Sequence, residues 1–131
     1  DIKTLDIQTP GFDAVQCKQV VSDWITRFGD DLNAIFLADD SAQAIGTIDA
    51  IKEAGRSDIL VVAAGNSKQG MDLVKSGDLL AINYQTAEGD GAAVIYSMAK
   101  WFAGQDVPAI GYLAQDIITK DNVDGFYPPQ W

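Results

Sequence analysis

Ala34-Ile35-Phe36-Leu37-Ala38-Asp39-Asp40-Ser41 is a continuous apolar run that stops at two acids and a hydroxyl. The next segment, Ala42 to Ala54, sets Ile45, Ile48 and Ile51 on one helical face and meets Gly55 as its stop. An unbroken apolar run reads as a strand buried on both faces, as central strands of parallel sheets are. This strand, polar turn and helix decide the fold because the unit recurs. Ile59 to Ala64 is a second such run, and after Gly65-Asn66-Ser67 a shorter helix spans Ser67 to Lys75, closed by Gly77. Leu79 to Tyr84 is a third. Beyond Gln85-Thr86-Ala87-Glu88 comes a helix from Gly91 to Ala103, with Ala92, Ile95, Tyr96, Ala99 and Phe102 on one stripe.

Upstream, Ile2 to Ile7 alternates with period two and reads as a strand that Pro10-Gly11 breaks. Phe12 to Phe28 carries Val20/Val21, Trp24/Ile25 and Phe28 at helical spacing, and Gly29-Asp30-Asp31 stops it. Past Gly104 the rhythm changes. Pro108 to Tyr112 and Ile117-Ile118 read as extended, Thr119 as the cap of one turn through Val123, and Pro128-Pro129 as the finish. Strands alternating with helices imply right-handed crossovers and an α/β fold, a doubly wound, mostly parallel sheet.

Composition narrows the function. A chain of 131 residues fits one domain and can bury a core. Its net charge is −10, and its nine Lys and Arg residues form no patch, which excludes nucleic acid and disfavours an anionic membrane surface. No run reaches the roughly 18 apolar residues of a membrane span. Cys17 is the single cysteine, so it has no disulfide partner within the chain and reads as a small apolar residue of the first helix. The chain does not begin with Met, so the lack of a signal peptide does not decide localisation.

In a wound sheet the carboxyl ends of the strands share one edge, where ligands bind. The turns put Gln8, Phe12, Asp39, Asp40, Asn66 and Gln85 along that rim. There is no His in the chain and no nucleophile with a base partner, which is the profile of a site that holds a molecule without transforming it, with no cofactor or metal implied. Each residue also has a structural reading. Asp39, Asp40 or Ser41 can cap the helix that follows, yet two acids leave one for a ligand's hydroxyls. Ser67 reads as a cap, and the Asn66 amide can both donate and accept. Phe12 either staples the entrance of its helix or stacks on an apolar ring face. Gln85 is a satisfied loop amide or a ligand contact. The glycines form neither a Walker nor a dinucleotide fingerprint. Phospho-receiver domains share this fold class and an acidic pair, but they need a phosphoacceptor Asp where this chain has Gly65-Asn66, and a Lys that ends no strand here.

The run Asp39-Asp40-Ser41-Ala42-Gln43-Ala44-Ile45-Gly46 through Ala54-Gly55-Arg56, then Ile59-Leu60-Val61-Val62 and Gly77-Asp78-Leu79-Leu80-Ala81-Ile82-Asn83-Tyr84-Gln85, resembles type I periplasmic binding proteins of the ribose/galactose class. Ile118-Thr119-Lys120-Asp121-Asn122-Val123-Asp124 with Phe126-Tyr127-Pro128 is similar to that family's C-terminus. Such proteins are the solute receptors of ATP-binding-cassette importers, with two lobes that close on a sugar. The resemblance implies the C-terminal half of a receptor, lacking the first strand and helix of its lobe. Residues 1–85 would be the incomplete lobe, 86–117 a segment packing on the missing N-terminal lobe, and 118–131 a returning tail. It also implies a periplasmic location, or an extracellular lipid-anchored one in a Gram-positive cell.

Position by position, the family's ring-stacking aromatic falls on Phe12, its Asn or Asp after the next strand on Asp39 or Asp40, and its strand-ending Gln on Gln85. A further acidic contact of the family falls on Gly65, with Asn66 beside it, so ribose or galactose specificity does not carry over. The implied partners are a neutral sugar, polyol or cyclitol, the permease and the missing lobe. The rival expectation is the effector domain of a lactose-repressor-type transcription regulator. An upstream helix-turn-helix would mark that protein, and a signal peptide would exclude it.

Overall fold

Asp13 opens the first helix, α1 (Ala14–Phe28), by accepting the backbone N–H groups of Val15 and Gln16 on its carboxylate. Gly29, at a positive φ, ends it. The chain then runs through strand β1 (Ala34–Leu37), helix α2 (Ala42–Glu53), strand β2 (Leu60–Gly65), helix α3 (Lys68–Ser76), strand β3 (Ala81–Tyr84), helix α4 (Ala87–Phe102) and strand β4 (Ile117–Thr119). This computed structural model describes residues 2–113 and 116–129. Asp1, Ala114, Gln115, Gln130 and Trp131, which fall within the three segments assigned above, lie outside the described residues.

The sheet has the order β1-β2-β3-β4, parallel across its first three strands, with β4 antiparallel to β3. Ile35, Leu37, Val61, Ala63, Ile82 and Ile118 point to one face and join Ile48 and Ile51 of α2 and Met71 and Val74 of α3 in one core. Helix α1 lies against α2 and adds Val21. The fold class is that read from the sequence, an α/β arrangement with a mostly parallel sheet.

Thr119, expected to cap the turn through Val123, instead ends β4, and Asn122 stands at the cap position of the turn Val123–Phe126. Two expectations about the strands also fail. The apolar runs are not buried on both faces: along β1 exposure alternates, and Phe36 is 70% exposed although Ile35 and Leu37 are buried. Successive strands step in one direction, so right-handed crossovers put α2 and α3 on one face. Among the described residues no helix covers the other, where Leu60 and Ile117 are also exposed.

The second failure is Ile2 to Ile7, which forms no strand. A strand needs a partner ladder, and a groove of about 360 Å³ lined by Ile7, Trp24, Phe36 and Thr47 separates this segment from β1. Leu5 packs on the core, and the Asp6 carboxylate accepts from Trp24 Nε1 and Arg27 Nη1. The Thr47 hydroxyl, buried at the groove, makes no hydrogen bond.

At the other end the tail clasps α3. The Tyr127 hydroxyl donates to Asp72 at 2.7 Å, Lys75 lies over its ring, and Phe126 packs on Tyr84. Burial, then the Asp72 carboxylate, pushes the Tyr127 phenol up to about 12. A phenol raised on folding favours the neutral form. Its contribution is whole below the ordinary value of 10.0 and is lost as pH rises through about 12. Tyr127→Phe should therefore flatten the alkaline fall in stability over that window, measured by urea denaturation at stepped pH. An unchanged slope would show that the clasp does not titrate.

The α1–α2 contact depends on Gly46. A Cβ there would lie 2.1 Å from the Ala14 carbonyl oxygen, which belongs to a helix backbone and cannot rotate away. Overpacking of this kind costs about 1–3 kcal/mol, more than the roughly 1 kcal/mol that Ala gains over Gly in a helix. Gly46→Ala should lower the denaturation midpoint, and a neutral or stabilising result would mean that the two helices part without cost.

Candidate functional site

The carboxyl ends of β1, β2 and β3 and the turn before α1 meet at one end of the sheet, as the register requires. A chain of hydrogen bonds links these four turns. Gln43, in the first turn of α2, donates its side-chain amide to the Gly11 carbonyl at 2.8 Å. Its backbone N–H donates to Asp39 at 3.0 Å, and the Ser41 hydroxyl donates to the other Asp39 oxygen at 2.7 Å. Asp39 thus serves the start of α2, while Ser41 makes no side-chain capping bond. Next to it, Asp40 accepts the Ser67 backbone N–H at 2.9 Å, which joins the β1–α2 turn to the β2–α3 turn. Gln85 donates its backbone N–H to the Gly65 carbonyl, adding the turn after β3.

Of the six rim residues, Gln8 is exposed with its side-chain amide donating to Asp6, and the other five divide into two sets. Phe12 is 77% exposed, so it does not pack as a staple, and its ring face is open. Gln85 is also exposed, with its side-chain amide donating to Asp90, and Asp39 is half-buried. Asp40 and Asn66, by contrast, are each 1% exposed. The accessible acid of the pair is Asp39. Burial pushes the Asp40 carboxyl above its ordinary range, hydrogen bonding from Ser67 opposes that rise, and nearby Asp39 adds to it.

Ser67 caps α3 by accepting the Gly70 N–H, and Thr86 caps α4 by accepting the Gly89 N–H. Gln43 escaped the sequence reading. Its only signal is a long amide in the first turn of a helix that follows a rim strand, and no periodicity reveals a bond to a carbonyl 32 residues away.

This set of groups can stack on an apolar face and can accept and donate hydrogen bonds at a rim. Among the described residues there is no cluster able to hold a metal ion. Among the described residues, too, no helix is long and apolar enough to cross a membrane.

Residues 1–106 match the model of the periplasmic binding protein domain. A xylitol-binding protein of Mycolicibacterium smegmatis is 31% identical over 127 residues, covering 95% of this chain and 35% of that protein. An ABC transporter periplasmic solute-binding protein from Actinobacillus succinogenes, solved with bound D-allose, superposes with a TM-score of 0.77 at 25% identity, covering 95% of this chain and 44% of that one. An arabinose-binding protein from Geobacillus stearothermophilus shares the fold, with a TM-score of 0.75 at 22% identity and coverage of 95% and 46%. The chain therefore spans less than half the length of these relatives. It belongs to the periplasmic binding protein family.

Proposed function

We propose that this chain forms part of a solute-binding protein that holds a neutral sugar, polyol or cyclitol and delivers it to an ATP-binding-cassette importer. The observation that carries the reading is the rim itself: the exposed ring of Phe12, the half-buried carboxylate of Asp39 and the exposed amide of Gln85 on turns joined by hydrogen bonds. An aromatic face suits the C–H face of a sugar, and carboxylate and amide groups suit its hydroxyls. An anionic ligand would meet Asp39 unfavourably. The similarity to a xylitol-binding protein and to a receptor solved with D-allose supports the same class. The role is capture and release in a periplasm or on a cell surface, a location that membership of the periplasmic binding protein family supports.

Helix α4 supports a second lobe as the partner. None of its residues is buried, and Ile95, Tyr96, Trp101 and Phe102 are 66–81% exposed. An apolar face of that size in water marks a contact surface. The relatives' greater length supplies its occupant: the remainder of the protein, forming an N-terminal lobe on which residues 86–117 pack and against which 1–85 close. The same remainder would cover the bare sheet face at Phe36 and Leu60.

Calorimetry of the full-length protein with xylitol, D-allose and glucuronate tests the ligand class. Binding of a neutral compound and none of the anion is expected. Asp39→Ala should weaken binding by about 1.5–3 kcal/mol, the range of a hydrogen bond to a charged group. A preference for glucuronate, or no loss in Asp39→Ala, would overturn the assignment.

Hydrogen exchange tests the lobe. Amides of α4 should exchange far faster than those of α2 in the 131-residue chain, and become protected in the full-length protein. Equal protection in both would remove the case for a covering lobe.

A further inference from the structure

Among the groups at the rim, Asp40 has the most specific surroundings. Its side chain occupies the space that β-carbons would take at two other positions. A Cβ on Gly65 would lie 2.3 Å from one Asp40 carboxylate oxygen, and a Cβ on Gly70 would lie 2.2 Å from the other. Gly65 also holds a φ of +145°, which side-chain-bearing residues rarely adopt. These two glycines, one at the end of β2 and one in the first turn of α3, form a seat for a carboxylate from another loop.

Into that seat Asp40 brings two acceptor oxygens, and the Ser67 backbone N–H donates to one of them. The Ser67 oxygen in turn accepts the Gly70 N–H at 3.0 Å. The turn carrying Asn66 is therefore held from one side by Asp40. Through the Gly65 carbonyl it holds the backbone of Gln85 on the other. With 1% of its surface accessible, Asp40 has no face left for a solute.

We propose that Asp40 is a positioning residue for the rim: its buried carboxylate, seated on Gly65 and Gly70, fixes the β2–α3 turn, and with it Asn66 and Gln85, in the geometry that meets a ligand. The proposal rests on the solute-binding reading for its consequence but not for its geometry. Charge is secondary to shape and acceptor position. The amide of Asn fills the same volume and retains one acceptor oxygen for the Ser67 N–H. Ala leaves that N–H buried without a partner, at a cost of about 1–3 kcal/mol, or roughly a factor of 5 to 150.

Two readouts separate this proposal from the functional reading beneath it. In the 131-residue chain, hydrogen exchange at the Ser67 and Gly70 amides should accelerate by about tenfold or more in Asp40→Ala and stay within about threefold in Asp40→Asn. Gly70→Ala, which keeps the carboxylate but displaces it, should behave like Asp40→Ala. The Ser67 amide shift should titrate in the wild type with a midpoint above 3.8 and lose that step in Asp40→Asn, Asp39 being the other carboxylate in range. In the full-length protein, affinity for xylitol or D-allose should fall about tenfold in Asp40→Ala and Gly70→Ala and hold within about threefold in Asp40→Asn.

Equal loss of affinity in Asp40→Asn and Asp40→Ala with slow Ser67 exchange would make Asp40 a charged ligand contact and overturn the proposal. So would unchanged exchange in Gly70→Ala, a variant that does not depend on Asp40→Ala folding. If the full-length wild type binds no neutral solute, the functional reading fails, and the exchange and titration results still decide the positioning role.

Discussion

The handedness of the strand connections governs this structure. Each step from β1 to β2 to β3 moves one place in the same direction, and a right-handed crossover sends both connecting helices to one face of the sheet. The core follows: the inward residues of the strands meet α2 and α3 there. The site follows too, because parallel strands that start on one side all end on the other, bringing their exit turns to one edge. The same constraint leaves the opposite face without a helix among the described residues, which is why Phe36 and Leu60 meet solvent.

The fold class was legible because it depends on order and period, which are local. The run at Ala34–Leu37, the stripe of Ile45, Ile48 and Ile51, and the stops at Gly29, Gly55 and Gly77 each report their own segment, and each element formed close to where its pattern lay. Reading burial from the same pattern failed for a physical reason. Apolarity on both sides of β1 records the environment that suits those side chains, whereas exposure records what else is present to cover them. Ile2 to Ile7 failed similarly: alternation describes a surface fit for a sheet, but a strand exists only where another backbone pairs with it.

At the site, the sequence located the turns but could not apportion their side chains. Asp39 and Asp40 are neighbours of one chemistry, and successive residues at a strand exit point in different directions. One faces the start of its own helix, and the other crosses to a helix 27 residues on. What separates them is the room made by Gly65 and Gly70, whose effect appears only when the β2–α3 turn is folded against the β1–α2 turn. Phe12 shows the converse. Its staple and stacking readings have the same sequence signature, and only exposure distinguishes them.

The rim is built so that rigidity and access fall on different residues. Its buried polar groups, Asp40 and Ser67, tie turn to turn across the sheet, and hydrogen bonds shielded from water hold a fixed geometry better than exposed ones. Its open groups, Phe12 and Gln85, stand on turns that those bonds and Gln43 restrain. Gln85 marks where this restraint ends, because its backbone is tied to Gly65 and Thr86 already caps a helix that contributes nothing to the core. Beyond it the chain returns to the sheet only at β4, which pairs antiparallel with β3 and is fastened through the Tyr127 clasp. Between these two ends none of the residues of α4 is buried, so rigidity at the rim stops where the chain leaves β3 and resumes where β4 pairs with it.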